Sequence, residues 1–148
     1  MLNKHATGVT IVSTGSNLKD SLTMERNTRQ RMAIRRALEK ADRPLSPQEV
    51  LLDAQNEVGS LGIATVYRTL STFEKEGWII AVQLPGDPAR YEMIGKGHHH
   101  HFRCRKCGRV FDVNGCLGDG STILPDGYIL EGHELLLFGL CEECANKR

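Results

Sequence analysis

Two Cys-x-x-Cys pairs stand near the C-terminus, Cys104 with Cys107 and Cys141 with Cys144, separated by 33 residues. Each tight turn presents two thiolates, and two such turns close a tetrahedral shell around zinc. Four cysteines leave no open coordination position, so this Zn2+ is expected to be structural. Its binding free energy, about 10–16 kcal/mol at neutral pH, then becomes folding free energy. Directly upstream runs His98-His99-His100-His101. These imidazoles are surplus to the cysteine shell and suggest a second metal with a different job. On extended chain His99 and His101 point to one face and His98 and His100 to the other, so one run can serve two sites. Cys116 is the odd cysteine left over. It reads either as a plain buried or free thiol, or as a soft ligand.

The histidines do not make an enzyme pattern. His133-Glu134 has no second histidine three residues on, so the zinc-protease run is absent. The zinc-deaminase pattern is missing too. There is no nucleophile elbow and no phosphate-cradling glycine loop. A zinc-dependent enzyme is the weaker alternative. A bare zinc-ribbon interaction module would explain the cysteines but not the histidines.

The elements that must position these residues fall in order. Residues 1–23 show no helical or strand period and read as a flexible N-terminal arm, or as a start site placed too early, with Met24 a more natural start. Residues 29–41 read as a helix capped by Asn27 or Thr28, with Ile34, Ala37, Leu38 and Ala41 on one face. Ser46-Pro47-Gln48-Glu49 is a capping box with proline at the first helical position. Val50, Leu51, Ala54 and Val58 then give the second helix its stripe. The third helix begins near Gly62, turns Ile63, Val66, Leu70 and Phe73 inward, and leaves Thr65, Tyr67, Arg68 and Ser71 elsewhere. Gly77 stops it. Two apolar runs, 78–84 and 89–94, flank a Pro/Gly turn and read as a β-hairpin. Three helices and a hairpin make a winged helix-turn-helix, in which the third helix enters the major groove of DNA.

Gly95-Lys96-Gly97 is a short hinge. Beyond it, residues 101–113 read as strand, knuckle and strand, residues 114–127 as loop or at most a short helix, and residues 128–140 as a long strand. The expected organisation is α+β: arm 1–23, winged-helix DNA-binding domain 24–94, hinge 95–97, and a zinc-pinned α/β dimerisation domain 98–148.

Composition limits the partners. The net charge of the 148 residues is only +1, so bulk charge does not mark a nucleic-acid binder. Its distribution says more: Arg26, Arg29, Arg31, Arg35 and Arg36 fall within eleven residues free of acid. They are either a solvated face or a phosphate-contacting one. No apolar run reaches the ~18 residues of a membrane span, and residues 9–12 are too short for a signal-peptide core. Five cysteines without a signal peptide read as reduced thiols in a cytoplasmic protein.

Residues 62–70, the histidine run, both knuckles and Gly132-His133-Glu134 resemble the ferric uptake regulator family, over about residues 26–146. The resemblance implies a homodimeric, metal-responsive repressor of metal-uptake genes that closes onto a palindromic DNA operator. It implies DNA contacts by Tyr67 and Arg68, with Thr65, on the recognition helix and by Arg31 on the first helix. The structural zinc would sit on the four cysteines. A hinge regulatory site, taking Zn2+ or Fe2+, would use Glu92, His99 and His101. In iron-sensing members a histidine before the second helix completes that site. Pro44 stands there instead, leaving Glu74, Glu76 or water. The opposite-face site would take His98, His100 and His133, with Cys116 or Asp119 in the region of a missing acidic ligand. A thiolate there favours zinc over ferrous iron, so zinc is the expected signal. An iron-responsive repressor or a peroxide sensor of the same family is the alternative.

Overall fold

The computed structural model describes residues 17–116, 118 and 123–147. The expected arm over 1–16, and Asp119, lie outside the described residues.

Three helices come first: α1 (Asn17–Ala41), α2 (Pro47–Val58) and α3 (Ile63–Lys75). The first is longer than its periodicity predicts and takes in residues 17–23, which read as arm. No proline or glycine interrupts Asn17 to Ala41. Thr28, expected as a cap, lies mid-helix and returns its hydroxyl to Met24 O at 2.9 Å. Residues 22–29 are exposed, so this portion has no buried apolar stripe to detect. After Ala41 the chain turns sharply through Asp42 (φ 48), and Pro44 bars helical continuation.

The capping box forms at α2. Ser46 Oγ accepts the Glu49 amide at 3.3 Å, and the Glu49 carboxylate accepts the Ser46 amide at 2.9 Å. Replacing Ser46 by alanine should remove about 1 kcal/mol of stability, visible as a lower calorimetric melting midpoint. An unchanged midpoint would mean that the box adds nothing here.

Ile34, Leu38, Leu45, Val50, Ala54, Val66, Leu70, Phe73 and Ile79 form one core. Ile63 departs from the expected inward set. It stays 36% exposed, because the buried stripe of α3 begins only at Val66. The wing follows, β1 (Ile79–Val82) antiparallel to β2 (Arg90–Met93), with Ile80 opposite Glu92.

The second sheet has the order β4-β3-β5, from β3 (His100–Cys104), β4 (Val110–Val113) and β5 (Leu136–Gly139). β3 runs antiparallel to β4 and parallel to β5. The long strand expected over 128–140 shrinks to four residues. A strand needs a paired neighbour, and residues 128–134 have no strand partner among the described residues. A one-turn helix, α4 (Glu142–Ala145), closes the second knuckle.

The two halves touch. Val82 and Leu84 of the wing pack with Val110 and Leu136. Arg90 reaches Glu49 at 2.7 Å and Gly108 O at 2.7 Å, while Arg103 donates to Asp87 at 2.6 Å. The bond to Gly108 O holds the wing against the first knuckle, and Arg103 ties β3 to the hairpin turn.

Candidate metal centres

Three groups of donor atoms converge, each with its ligand atoms within 4.8 Å of one another. The first holds Cys104, Cys107, Cys141 and Cys144. β3 delivers Cys104, the turn at Gly108 (φ 73) folds Cys107 back, and the start of α4 brings Cys141 and Cys144. Cys107 Sγ and Cys141 Sγ are 3.8 Å apart. Zn–S bonds of about 2.3 Å in a tetrahedron place sulfurs about 3.8 Å apart, so the cradle fits.

The sulfurs are electrostatically unlike. Backbone amides of Cys107 and Cys141 point at Cys104 and bring its thiol down to about 6. Burial and the neighbouring thiols push Cys144 up to about 12. Burial opposes the Cys107 thiolate too, but the Arg109 guanidinium and amide outweigh it and lower that thiol. Arg109 also grips Glu143 at 2.5 Å, tying the outside of one knuckle to the other. Such a cluster cannot ionise fully without a cation to offset four charges.

The second group is Glu92, His99, His101 and Asp112. Alternate residues of β3 and the chain before it present His99 and His101, and the buried β2 residue Glu92 faces them. His99 Nδ1 lies 2.7 Å from Gly97 O, which fixes the ring with Nε2 aimed at Glu92 Oε1, 3.1 Å away. That carbonyl contact, with Glu92 and Asp112 nearby, outweighs partial burial and raises the His99 pKa. Burial instead lowers His101. Glu92 Oε2, His101 Nε2 and Asp112 Oδ1 are buried without hydrogen-bond partners, three of the five such atoms among the described residues. A bound cation satisfies all three, so the residues fit a metal.

Asp112 is the residue that sequence reasoning missed. It lies directly across β3 from His101. Counting outward from the knuckle turn, where Cys104 N bonds Arg109 O, gives that pairing. Glu74 and Glu76, considered for the open position, are not in the group. Glu76 is engaged by Arg31 at 2.5 Å.

The third group is His98, His100, Cys116 and His133. His100 Nε2 lies 3.2 Å from both His98 Nε2 and His133 Nε2, and Cys116 Sγ lies 3.0 Å from His133 Nε2. Tetrahedral zinc holds imidazole nitrogens at about 3.3 Å from one another. His100 is 2% exposed, and burial with four neighbouring imidazoles lowers its pKa. The Leu135 amide lies 3.2 Å from His100 Nδ1 and fixes that ring.

Four cysteine sulfurs, a carboxylate–imidazole group at the hinge and a thiol–imidazole group beside it accompany a winged helix. The Ferric uptake regulator family model matches residues 23–135.

The chain belongs to the Ferric uptake regulator family.

It is therefore a metal-responsive transcriptional regulator and not an enzyme. The ferric uptake regulation protein of Bordetella parapertussis is 32% identical over 122 residues, covering 80% of this chain and 88% of that protein. A structure of a zinc-bound manganese uptake regulator superposes with a TM-score of 0.70 at 28% identity, covering 82% of this chain and 97% of that one. The ferric uptake regulator of Helicobacter pylori, described as having three functional metal binding sites, gives 0.59 at 25% identity, covering 86% and 89%.

The DNA-facing residues expected of a family member lie along α1 and α3. Tyr67 is 46% exposed, so it is not a core residue. Arg68 is exposed and donates to Thr65 Oγ1 at 3.3 Å. Arg31 is the least free: it pairs with Glu76 and lies over the Phe73 ring at 4.8 Å. A DNA phosphate would have to compete with Glu76 for it. No helix of the described residues is long and apolar enough to cross a membrane.

Proposed function

We propose that this regulator is a cytoplasmic, homodimeric, zinc-responsive repressor of metal-uptake genes. Cys116 carries the zinc assignment. Its sulfur completes a set of three imidazoles and one thiolate, a soft donor set that suits zinc better than ferrous iron. Three donor groups also accord with the three metal sites described for the Helicobacter pylori relative.

The cysteine-bound zinc pins β3 to the C-terminal knuckle. The hinge group draws Glu92 of the wing onto His99, His101 and Asp112 beyond the hinge, fixing the DNA-binding head. Apolar residues on the far half, Ile129 at 89% exposure and Phe138 on the edge strand β5 at 45%, supply a surface for a second copy. Tyr67, Arg68 and Thr65 on α3 reach base edges, and Arg31 reaches the backbone. If metal binds the DNA-competent dimer more tightly, it raises operator affinity by the same factor, typically 5–150-fold for about 1–3 kcal/mol of coupling.

The test is binding to a palindromic operator recovered by selection from random duplexes, with Zn2+, Fe2+ and Mn2+ titrated separately. Zinc should tighten binding most. Affinity should also fall steeply as salt rises, since phosphate contacts release counterions. Metal-independent binding would reject the proposal, and a flat salt response would remove Arg31 from the contacts. The hinge group favours a second reading. Two carboxylates with two imidazoles also suit ferrous iron, and tighter coupling with Fe2+ would select an iron-responsive repressor.

A further inference from the structure

The Lys96 ammonium lies between the carboxylates of the hinge group. It donates to Asp112 Oδ2 and stands 3.5 Å from Glu92 Oε2. Glu92 has a side chain only 1% exposed. A carboxylate so buried needs a cation beside it. The same ammonium is 3.3 Å from Asp42 Oδ1, at the end of α1, where the carboxylate is 87% exposed. Lys96 is the middle residue of the hinge, with Gly95 at φ 90 before it and Gly97 after it.

A protonated lysine has three donors and no lone pair, so it cannot ligate a metal. It is drawn to the oxygens a metal needs, and it repels the metal itself. We propose that Lys96 is an internal competitor for the hinge ion. Its ammonium neutralises Glu92 and Asp112 while the metal is absent, and thereby sets the metal concentration at which the site fills. When an ion takes the carboxylates, Lys96 transfers to Asp42 and solvent, a short swing permitted by the flanking glycines. The inference rests on reading the Glu92, His99, His101 and Asp112 group as a regulatory metal site.

The test uses full-length protein and chelator-competition titration with Zn2+, with the visible absorption of Co2+ as a second readout. The His99→Ala variant identifies the hinge component of each signal. Lys96→Met removes the charge at similar length and should fill the hinge site at about tenfold lower free metal or less. Lys96→Gln should act in the same direction, whereas Lys96→Arg should stay near the unsubstituted protein. A hinge ion bound with equal or weaker affinity in both neutral variants overturns the inference and leaves the metal site standing. Absence of any hinge ion in the unsubstituted protein overturns both.

Discussion

Serine at Cys104 should cost the protein its C-terminal half. Cys104 is fully buried, and its sulfur accepts the Cys141 amide at 3.4 Å. The substitution removes a thiolate ligand from the cysteine shell and leaves three sulfurs with no good partner. A structural zinc of this kind stabilises by about 10–16 kcal/mol, comparable with the whole stability of a small domain. We expect Cys104→Ser to lose one zinc per chain, to expose the amides of β3, β4 and β5 to rapid hydrogen exchange, and to sediment as a monomer or aggregate. Strong chelation of the unsubstituted protein should reproduce the effect more slowly. The winged helix should keep its helical signal, because its core contains none of the cysteines. A Cys104→Ser protein with unchanged zinc content and an intact dimer would remove the structural role of the shell.

The second large effect is expected at Cys116, with the opposite pattern. Its residue is exposed, so serine there leaves no cavity. The fold, the cysteine-bound zinc and the dimer should all persist. What should change is regulation. Losing the sulfur beside His98, His100 and His133 should raise the zinc level needed for operator binding about 10–100-fold or more, since loss of even an outer-shell partner commonly costs that much. Zinc analysis beside an operator titration separates the two cysteine classes in one experiment. If Cys116→Ser responds to zinc like the unsubstituted protein, Cys116 is a plain thiol and the zinc assignment falls with it.

Much of this was legible in the chain because it depends on short spacing. A Cys-x-x-Cys turn brings two sulfurs together whatever surrounds it. Alternation along extended chain puts His99 and His101 on one side and His98 and His100 on the other. The capping box at Ser46 and the stripe of Val50 and Ala54 are equally local. Legibility failed where a neighbour elsewhere in the chain decides. The stretch of α1 over residues 22–29 is exposed and so leaves no buried period. The run 128–140 has strand composition, but only Leu136–Gly139 finds a partner in β3. Arg31 reads as a free basic residue, yet α3 ends with Glu76 beside it.

Residue type and spacing alone determined a winged helix joined to a cysteine-pinned half, and the division of the histidines between two faces. Those properties follow from patterns within a few positions: the Cys-x-x-Cys turns, the alternation of the histidines and the helical stripes. Only the tertiary structure showed which described groups converge. Asp112 joins the hinge across the β3–β4 pairing, Cys116 meets His133 from another loop, and Lys96 stands between Glu92 and Asp112. Each of these joins residues at least four positions apart along the chain, most of them far more, and depends on strand register and loop path, which arise only when the sheet and the wing pack together.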